Sequence, residues 1–582
     1  MDFKKIPNIN HWWGALIIEE LTRCGVEYFC LAPGSRPAPL SVAVARNPKA
    51  KPFVHFDERG LAFHALGYAA GAKKPVVLIC TSGTAVANVL PAVIEASKKK
   101  LPLIVLTADR PPELRQTGAV QTIDQVKIFG PYAKWSMDMP CPDAEIDPAY
   151  VLTTIDQAVY QAVAATPGVV HINCMFREPL APVADRTDIR RLSAGLNTWA
   201  RSDQAYTTYH PGAVAAINDM DAVVKNINAI KNGLIVIGKV SGESDQQAAL
   251  KLATKLGWPI VADISSGLRL GCSDRHVIHY FDHLLLSSKI QRWLKRTDGI
   301  IHLGGRMTSK RYYEWVAQHK NMSYVTVINH SLRNDPSHQV TRRIHASVGV
   351  FVDAVMPLVK KRRASALLKA LGRADQTTDV FIDRFLREDG HLNEPLAARL
   401  VSRAIPAEHG LFLANSMPVR DMDFYAAIDG HSVHINGNRG ASGIDGTIAS
   451  ACGFAQGLKA PVTLMIGDLA ALHDLNSLAM LKDSPYPVTV VILNNRGGGI
   501  FSFLPIAQFE DVFEQFFATP HGVDFPEAAR MFALEYAKAS TPKDFLTAYT
   551  KAVRGRNSTI IEVPSDRAEN VKVHKLLQQV PL

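Results

Sequence analysis

Short apolar runs recur along the whole chain, and each stops at a small or polar residue. "PVVLICTSGT" begins at Pro75, "LPLIVLTADR" at Leu101, "GLIVIGKVSG" at Gly233 and "GIIHLGGRM" at Gly299. "YVTVINHS" from Tyr324, "PVTLMIGDLA" from Pro461 and "VTVVILNNRGGG" from Val488 continue the series. The runs are rich in Val, Ile and Leu and show no polar–apolar alternation. A strand written this way is buried on both faces, which happens in parallel sheets flanked by helices. Amphipathic, helix-like segments separate the runs, as crossover connections between parallel strands require. The expected fold class is therefore α/β, with doubly wound parallel sheets. In such sheets ligands bind beyond the carboxyl ends of the strands, so the residues after each run are the ones to inspect.

At 582 residues the chain exceeds one compact domain. Three parallel-sheet domains are expected, at 1–190, 191–355 and 385–582, with a polar, helix-prone connector at 356–384. A net charge of +10 raises the question of nucleic acid. The one dense basic run, "KKRR" at Lys360–Arg363, has no interleaved aromatics and reads as a solvated face, so no nucleic-acid partner is expected. Anionic small substrates account for the excess of positive charge. The seven cysteines are scattered and form no C-x-x-C pair, which points to a reducing compartment and away from a zinc site. No run approaches the roughly 20 apolar residues that span a bilayer. The amino terminus lacks a hydrophobic signal core, and a cytoplasmic location is expected.

Two run ends carry chemistry together. Gly467-Asp468 closes one strand, and Asn494-Asn495 closes the next, with a helix-like segment between them. One crossover unit of this kind brings Asp468 and Asn495 to the same sheet edge. A carboxylate, a carboxamide oxygen and a backbone carbonyl are hard oxygen ligands, suited to Mg²⁺ (or Mn²⁺) that also binds phosphate. Gly497–Gly499 lets the backbone approach closely. The helix opening at Asp468 presents N–H groups to a diphosphate. Taken singly, Asp468 is an ordinary helix cap and Asn494-Asn495 an ordinary turn signal. As a pair, they resemble the motif of the thiamin diphosphate-dependent enzymes, with Leu469 where many relatives carry glycine.

That resemblance implies a glutamate in the first domain that bonds a pyrimidine nitrogen of the cofactor, so that the cofactor itself relays a proton. Glu58 in "KPFVHFDERGLAFHALGYAAGA" stands in the matching context, between a strand-like stretch and a Gly/Ala-rich helix that Asp57 caps.

"APGSRPAPL", "HFDERG", "TSGTAVAN", "TADRPPELRQTGAVQT", "LGGRMTSKR", "NSMPVRD", "GNRGASGIDG" and "NNRGGGIFSFLP" follow in order along the chain. They resemble one branch of the family, the 2-succinyl-5-enolpyruvyl-6-hydroxy-3-cyclohexene-1-carboxylate synthases of menaquinone biosynthesis. The resemblance implies decarboxylation of 2-oxoglutarate and conjugate addition of the succinyl unit to isochorismate. Both substrates are dicarboxylates, which guanidinium and ammonium groups grip well. It assigns Ser35, Arg36, Arg110, Gln121, Lys310, Arg311, Arg420, Arg439 and Leu504 to substrate. It assigns Ser416, Ile444, Asp468, Leu469, Asn495, Gly497, Ile500 and Phe501 to the cofactor. Ile444 would be the apolar wedge that bends the cofactor, and Ile500, Phe501 and Leu504 an apolar wall near the reacting carbon. Asp468, Asn495 and the Gly497 carbonyl would hold the metal. Val120 and Gly499 replace polar residues of some relatives, and Arg496 points either away from the metal or toward the diphosphate. The resemblance also implies a homodimer or a dimer of dimers, with active sites at the subunit interface.

Two rivals stay open: another thiamin diphosphate 2-oxoacid decarboxylase or carboligase, such as an acetolactate synthase, and a silent cofactor-binding regulator. A nicotinamide-dependent dehydrogenase is disfavoured, because no G-x-G-x-x-G follows a strand.

Overall fold

The apolar runs fold as strands of three six-stranded sheets in which every neighbouring pair is parallel. The computed structural model describes residues 6–210, 219–320 and 322–582. The first sheet comprises β1 (Tyr28–Leu31), β2 (Lys51–Val54), β3 (Val76–Cys80), β4 (Leu103–Asp109), β5 (Ala133–Met139) and β6 (Val169–Met175), in the order β2-β1-β3-β4-β6-β5. The second comprises β7 (Gly233–Ile237), β8 (Ile260–Ala262), β9 (Val277–Ile278), β10 (Gly299–Leu303), β11 (Ser323–Ile328) and β12 (Arg342–His345), ordered β12-β11-β10-β7-β8-β9. The third comprises β13 (Gly410–Leu413), β14 (His434–Asn436), β15 (Val462–Gly467), β16 (Val488–Asn494), β17 (Glu535–Lys538) and β18 (Thr559–Pro564), ordered β14-β13-β15-β16-β18-β17. The first and third sheets thus share one winding. Each reverses direction between its first and third strands, and such a reversal opens a crevice at the carboxyl ends. The central strands β3, β4 and β16 are buried at every position, which is why their sequences are unbroken apolar runs.

The chain forms two compact units. One gathers the described residues up to 210 with 437–460 and 473–486 around the first sheet. The other holds the second and third sheets.

Within the first unit the Glu58–Ala72 helix crosses the Thr447–Leu458 helix almost backbone to backbone. A Cβ added at Gly453 would lie 1.9 Å from the His64 carbonyl oxygen, and one at Gly67 would lie 2.1 Å from that of Ser450. The Gly/Ala-rich composition of both helices answers this approach, because any larger side chain would force them apart. Asp57 caps the first of the two, accepting from the amides of Arg59 at 2.9 Å and Gly60 at 3.2 Å.

Within the second unit the polar connector is a 24-residue helix, Ala366–Asp389, that starts at the Ser365 cap and ends at Gly390 with φ 67°. It runs through position 385, where the third block was expected to begin. Buried Arg399 fastens it, through Asp379 at 2.8 Å and Asp383 at 3.0 Å. Within the "KKRR" run Lys360, Lys361 and Arg363 are exposed, as expected of a solvated face, and Arg362 departs from it. The Arg362 guanidinium donates to the carbonyl oxygens of Ile230 and Asn228 and lies over the Trp258 ring. A planar, weakly hydrated fork is readily spent on backbone carbonyls in this way.

All seven cysteines are free. Among the described residues, no helix is long and apolar enough to cross a membrane.

Candidate active site

In the second unit Asp468 and Asn495 follow neighbouring strands of the third sheet. β15 and β16 pair in register, with Gly467 opposite Leu493, so the residues after each strand come level. Asp468 is 2% exposed. Its Oδ1 accepts the Leu469 amide at 2.6 Å and its Oδ2 accepts the Gly497 amide at 3.0 Å. Burial pushes its pKa up, and the backbone donors oppose that rise. His521 Nε2 stands 3.3 Å from Oδ2.

Asn495 divides its carboxamide between two tasks. Nδ2 donates to Glu394 Oε1 at 2.8 Å, while Oδ1 is buried and has no hydrogen-bond partner. A buried acceptor left unmade costs about 1–3 kcal/mol, a cost that a bound cation would remove. Asp468 and this oxygen sit at the ends of neighbouring strands, and both are hard oxygen donors. The pair fits a divalent cation of the Mg²⁺ type. Gly497 has φ 153°, and a Cβ there would meet the Ala518 carbonyl oxygen at 2.5 Å, so only glycine serves. Its own carbonyl accepts the Gly499 amide at 2.9 Å, which leaves a second lone pair. Arg496 is exposed and its guanidinium reaches Asp524 at 3.3 Å. Asn494 is spent on Glu562 at 2.7 Å and on the Val523 carbonyl at 3.1 Å, and so shapes the turn.

Ile500 and Phe501 lie on the 3₁₀ turn Gly499–Phe503, which follows directly, with the Phe501 ring edge-on to Phe517. Leu504 ends that turn and is 46% exposed. After β13, Ser416 adopts φ 70° and ψ −130°, a conformation costing a non-glycine residue about 1–3 kcal/mol. Its carbonyl receives the Arg420 guanidinium, so these two candidates meet. Lys310 and Arg311 are placed differently. Lys310 is largely exposed and pairs with Glu314 at 3.1 Å. Arg311 pairs with buried Asp282.

In the first unit Glu58 opens its helix half-buried, and Asn88 Nδ2 donates to its Oε2 at 3.4 Å. Ser82, at the end of β3, joins two other candidates. The Arg110 guanidinium donates to its hydroxyl, and Gln121 Nε2 donates to its carbonyl at 2.9 Å. Arg36 is buried, donates to the Phe176 carbonyl at 2.9 Å and lies 3.4 Å from Glu178. Burial and the charge of Arg110 both lower its pKa. Ser35 beside it is exposed, as is Val120. Arg439 and Ile444 ride the loop 437–446, and Glu95 clamps that loop by accepting the amides of Gly440 at 2.7 Å and Ala441 at 2.5 Å. Ile444 is 39% exposed, which suits an apolar contact with a ligand.

Sequence reasoning missed Glu394, His521, Ser82 and Glu95. Glu394 reads as a first-turn acid beside the Asn393 cap, and Glu95 as one polar residue of an ordinary helix. Each finds its partner far away in sequence. Ser82 alone had a signal, since it follows an apolar run.

Three family profiles match the chain. "Thiamine pyrophosphate enzyme, N-terminal TPP binding domain" matches residues 11–128. "Middle domain of thiamine pyrophosphate" matches 191–413, and "Thiamine pyrophosphate enzyme, C-terminal TPP binding domain" matches 423–563. Curated relatives resemble the chain along nearly its whole length. A protein of Rubrobacter xylanophilus is 46% identical over 572 residues, covering 98% of both chains. One of Salinibacter ruber is 44% identical over 574 residues, covering 98% of this chain and 96% of its own. One of Chlorobium phaeobacteroides is 42% identical over 580 residues, covering 99% and 98%. Each bears the name 2-succinyl-5-enolpyruvyl-6-hydroxy-3-cyclohexene-1-carboxylate synthase.

Proposed function

The chain belongs to the 2-succinyl-5-enolpyruvyl-6-hydroxy-3-cyclohexene-1-carboxylate synthase family of thiamin diphosphate-dependent enzymes, and on that premise we propose that it decarboxylates 2-oxoglutarate and adds the succinyl unit to isochorismate by conjugate addition. The observation that carries the site reading is the buried, unpartnered Asn495 Oδ1 at the strand end next to Asp468. With the Gly497 carbonyl these atoms would hold Mg²⁺ or Mn²⁺ against a diphosphate, which the amides opening the helix at Asp468 would also receive. When bound, thiamin diphosphate supplies the carbanion-forming centre that decarboxylation of a 2-oxo acid needs.

The protein's own groups then do the rest. The Glu58 carboxyl bonds a pyrimidine nitrogen and holds or releases a proton there. Ser416 and Leu469 shape the cofactor's seat, and Ile444 supplies an apolar wedge. Ile500, Phe501 and Leu504 keep water from the reacting carbon. Arg36, Arg110, Arg420 and Arg439 offer planar forks to the substrates' carboxylates. Ser35 and Gln121 add neutral hydrogen bonds, and Lys310 and Arg311 add charge once drawn from Glu314 and Asp282. The division at 1–190 for pyrimidine, 191–355 for a central domain, 356–384 for a connector and 385–582 for diphosphate belongs to the same reading. So do a cytoplasmic location and a homodimer or dimer of dimers sharing its sites between subunits.

Donor choice tests the proposal. Carbon dioxide release is measured with 2-oxoglutarate or pyruvate, each with cofactor and Mg²⁺. Release from 2-oxoglutarate alone is expected. Turnover of pyruvate in its place assigns the chain to an acetolactate synthase-like reaction.

A further inference from the structure

We infer that Glu394 is the positioning residue that sets which end of the Asn495 carboxamide faces the cation; the inference rests on the reading of Asp468 and Asn495 as ligands. A carboxamide is nearly symmetric in shape, and only its oxygen binds a hard cation. Something must therefore prevent it from turning over. Asn495 Nδ2 donates to Glu394 Oε1 at 2.8 Å, and this bond leaves Oδ1 as the free, buried acceptor. If the group were reversed, the oxygen would abut the Glu394 acceptor and an N–H would meet the cation.

Glu394 is itself rigid. It is 1% exposed and opens the Glu394–Ala404 helix, and the same Oε1 accepts from Ser565 Oγ at 3.0 Å. Ser565 follows β18, and its amide donates to the Asn494 carbonyl at 2.9 Å. One carboxyl thus ties a helix start to the ends of β16 and β18. Gly499 packs close to the same nitrogen, since a Cβ there would stand 2.5 Å from Asn495 Nδ2. The carboxamide has one seat and one orientation in it. Burial and the nearby charge of Asp421 raise the Glu394 pKa, to about 8. Because Oε1 also accepts the Ser565 hydroxyl, a proton on the carboxyl resides on Oε2, and Oε1 stays the acceptor facing Asn495 in either state.

Outer partners of metal ligands are worth ~10–100-fold in affinity. The test measures Mn²⁺ affinity in the presence of thiamin diphosphate, by the electron paramagnetic resonance of the free ion. Wild type, Glu394→Gln, Glu394→Leu, Asn495→Ala and the Glu394→Leu/Asn495→Ala double variant are compared, and each one's fold is checked by circular dichroism. Glu394→Leu, which fills the space without an acceptor, is expected to weaken binding by ~10-fold or more. Glu394→Gln, whose amide oxygen can take over the bond, stays within about threefold. On the Asn495→Ala background Glu394→Leu has no further effect, because its action runs through Asn495. If Glu394→Leu does not fold, Glu394→Met is read the same way. Wild-type affinity in the acceptor-free variant, or an equal loss on the Asn495→Ala background, overturns the inference while the ligand assignment stands. Unchanged affinity in Asn495→Ala overturns the ligand assignment and the inference with it.

Discussion

Asp468 Oδ2 accepts the Gly497 amide at 3.0 Å, joining the end of one central strand of the third sheet to the turn after the next. That bond holds both halves of the proposed cation site in one arrangement. Replacing Asp468 by Ala removes the proposed ligand and unties the turn together. Thiamin diphosphate affinity, measured calorimetrically with Mg²⁺, is expected to fall by ~10-fold or more. Unchanged affinity would remove Asp468 from the site. Gly497→Ala attacks the same bond from the other side, through φ 153° and the 2.5 Å approach to Ala518. It is expected to lower the thermal midpoint as well as the affinity.

The helix crossing in the first unit gives a prediction free of any ligand. Gly453→Ala places a methyl 1.9 Å from the His64 carbonyl oxygen, so the two backbones must move apart. A loss of about 1–3 kcal/mol is expected, from overpacking against rigid backbone. Gly372→Ala is the control: it lies in the Ala366–Asp389 helix, and nothing stands within 4 Å of its added Cβ. Equal thermal midpoints for the two variants would contradict the close crossing.

Glu95 accepts the amides of Gly440, Ala441 and Ser442 in the loop that carries Arg439 and Ile444. Removing its carboxyl takes those bonds away, at about 0.5–1.5 kcal/mol each. Hydrogen exchange at 440–444 in Glu95→Ala is expected to quicken at least tenfold, with other segments unchanged. Unaltered protection there would show that the loop holds its shape without the clamp.

A pH dependence follows from Glu20, which is raised to about 8 by burial and by Asp156. Its oxygens accept from Trp199 Nε1 at 2.6 Å and from the Tyr206 amide at 2.5 Å, and Asp156 holds the Thr207 amide at 2.7 Å. A carboxyl with a raised folded pKa binds its proton more tightly folded than unfolded. Its contribution is therefore complete below the ordinary carboxyl pKa of about 4.5 and is lost as pH rises through about 8. The urea midpoint is expected to fall between pH 5 and pH 9, and Glu20→Gln to flatten that slope. A slope equal in both proteins would free Glu20 of this role.

The strands were legible because burial on both faces leaves an unbroken apolar run, as in β3, β4 and β16. Asp468 and Asn495 were legible for a related reason. A ligand at a strand end needs polar residues abruptly after apolar ones, and their spacing follows from one crossover. The groups that hold them were not legible. Glu394 meets Asn495, and Glu95 meets Ala441, across separations that no local pattern encodes. Arg362 shows the same limit from the other side: it reads as solvated charge, like its exposed neighbours, until the fold brings the Ile230 and Asn228 carbonyls to it. Arg311 likewise reads as a free cation until Asp282 appears beside it.

The most direct measurement of the central claim is product formation from 2-oxoglutarate and isochorismate, with thiamin diphosphate and Mg²⁺, in wild type and Glu58→Gln. The account predicts the succinylated cyclohexene product only when both substrates are present, and a rate at least ~100-fold lower in Glu58→Gln, in line with the contribution of a positioned proton-transfer group. Equal rates in the two proteins, or no product from wild type with both substrates supplied, would contradict it.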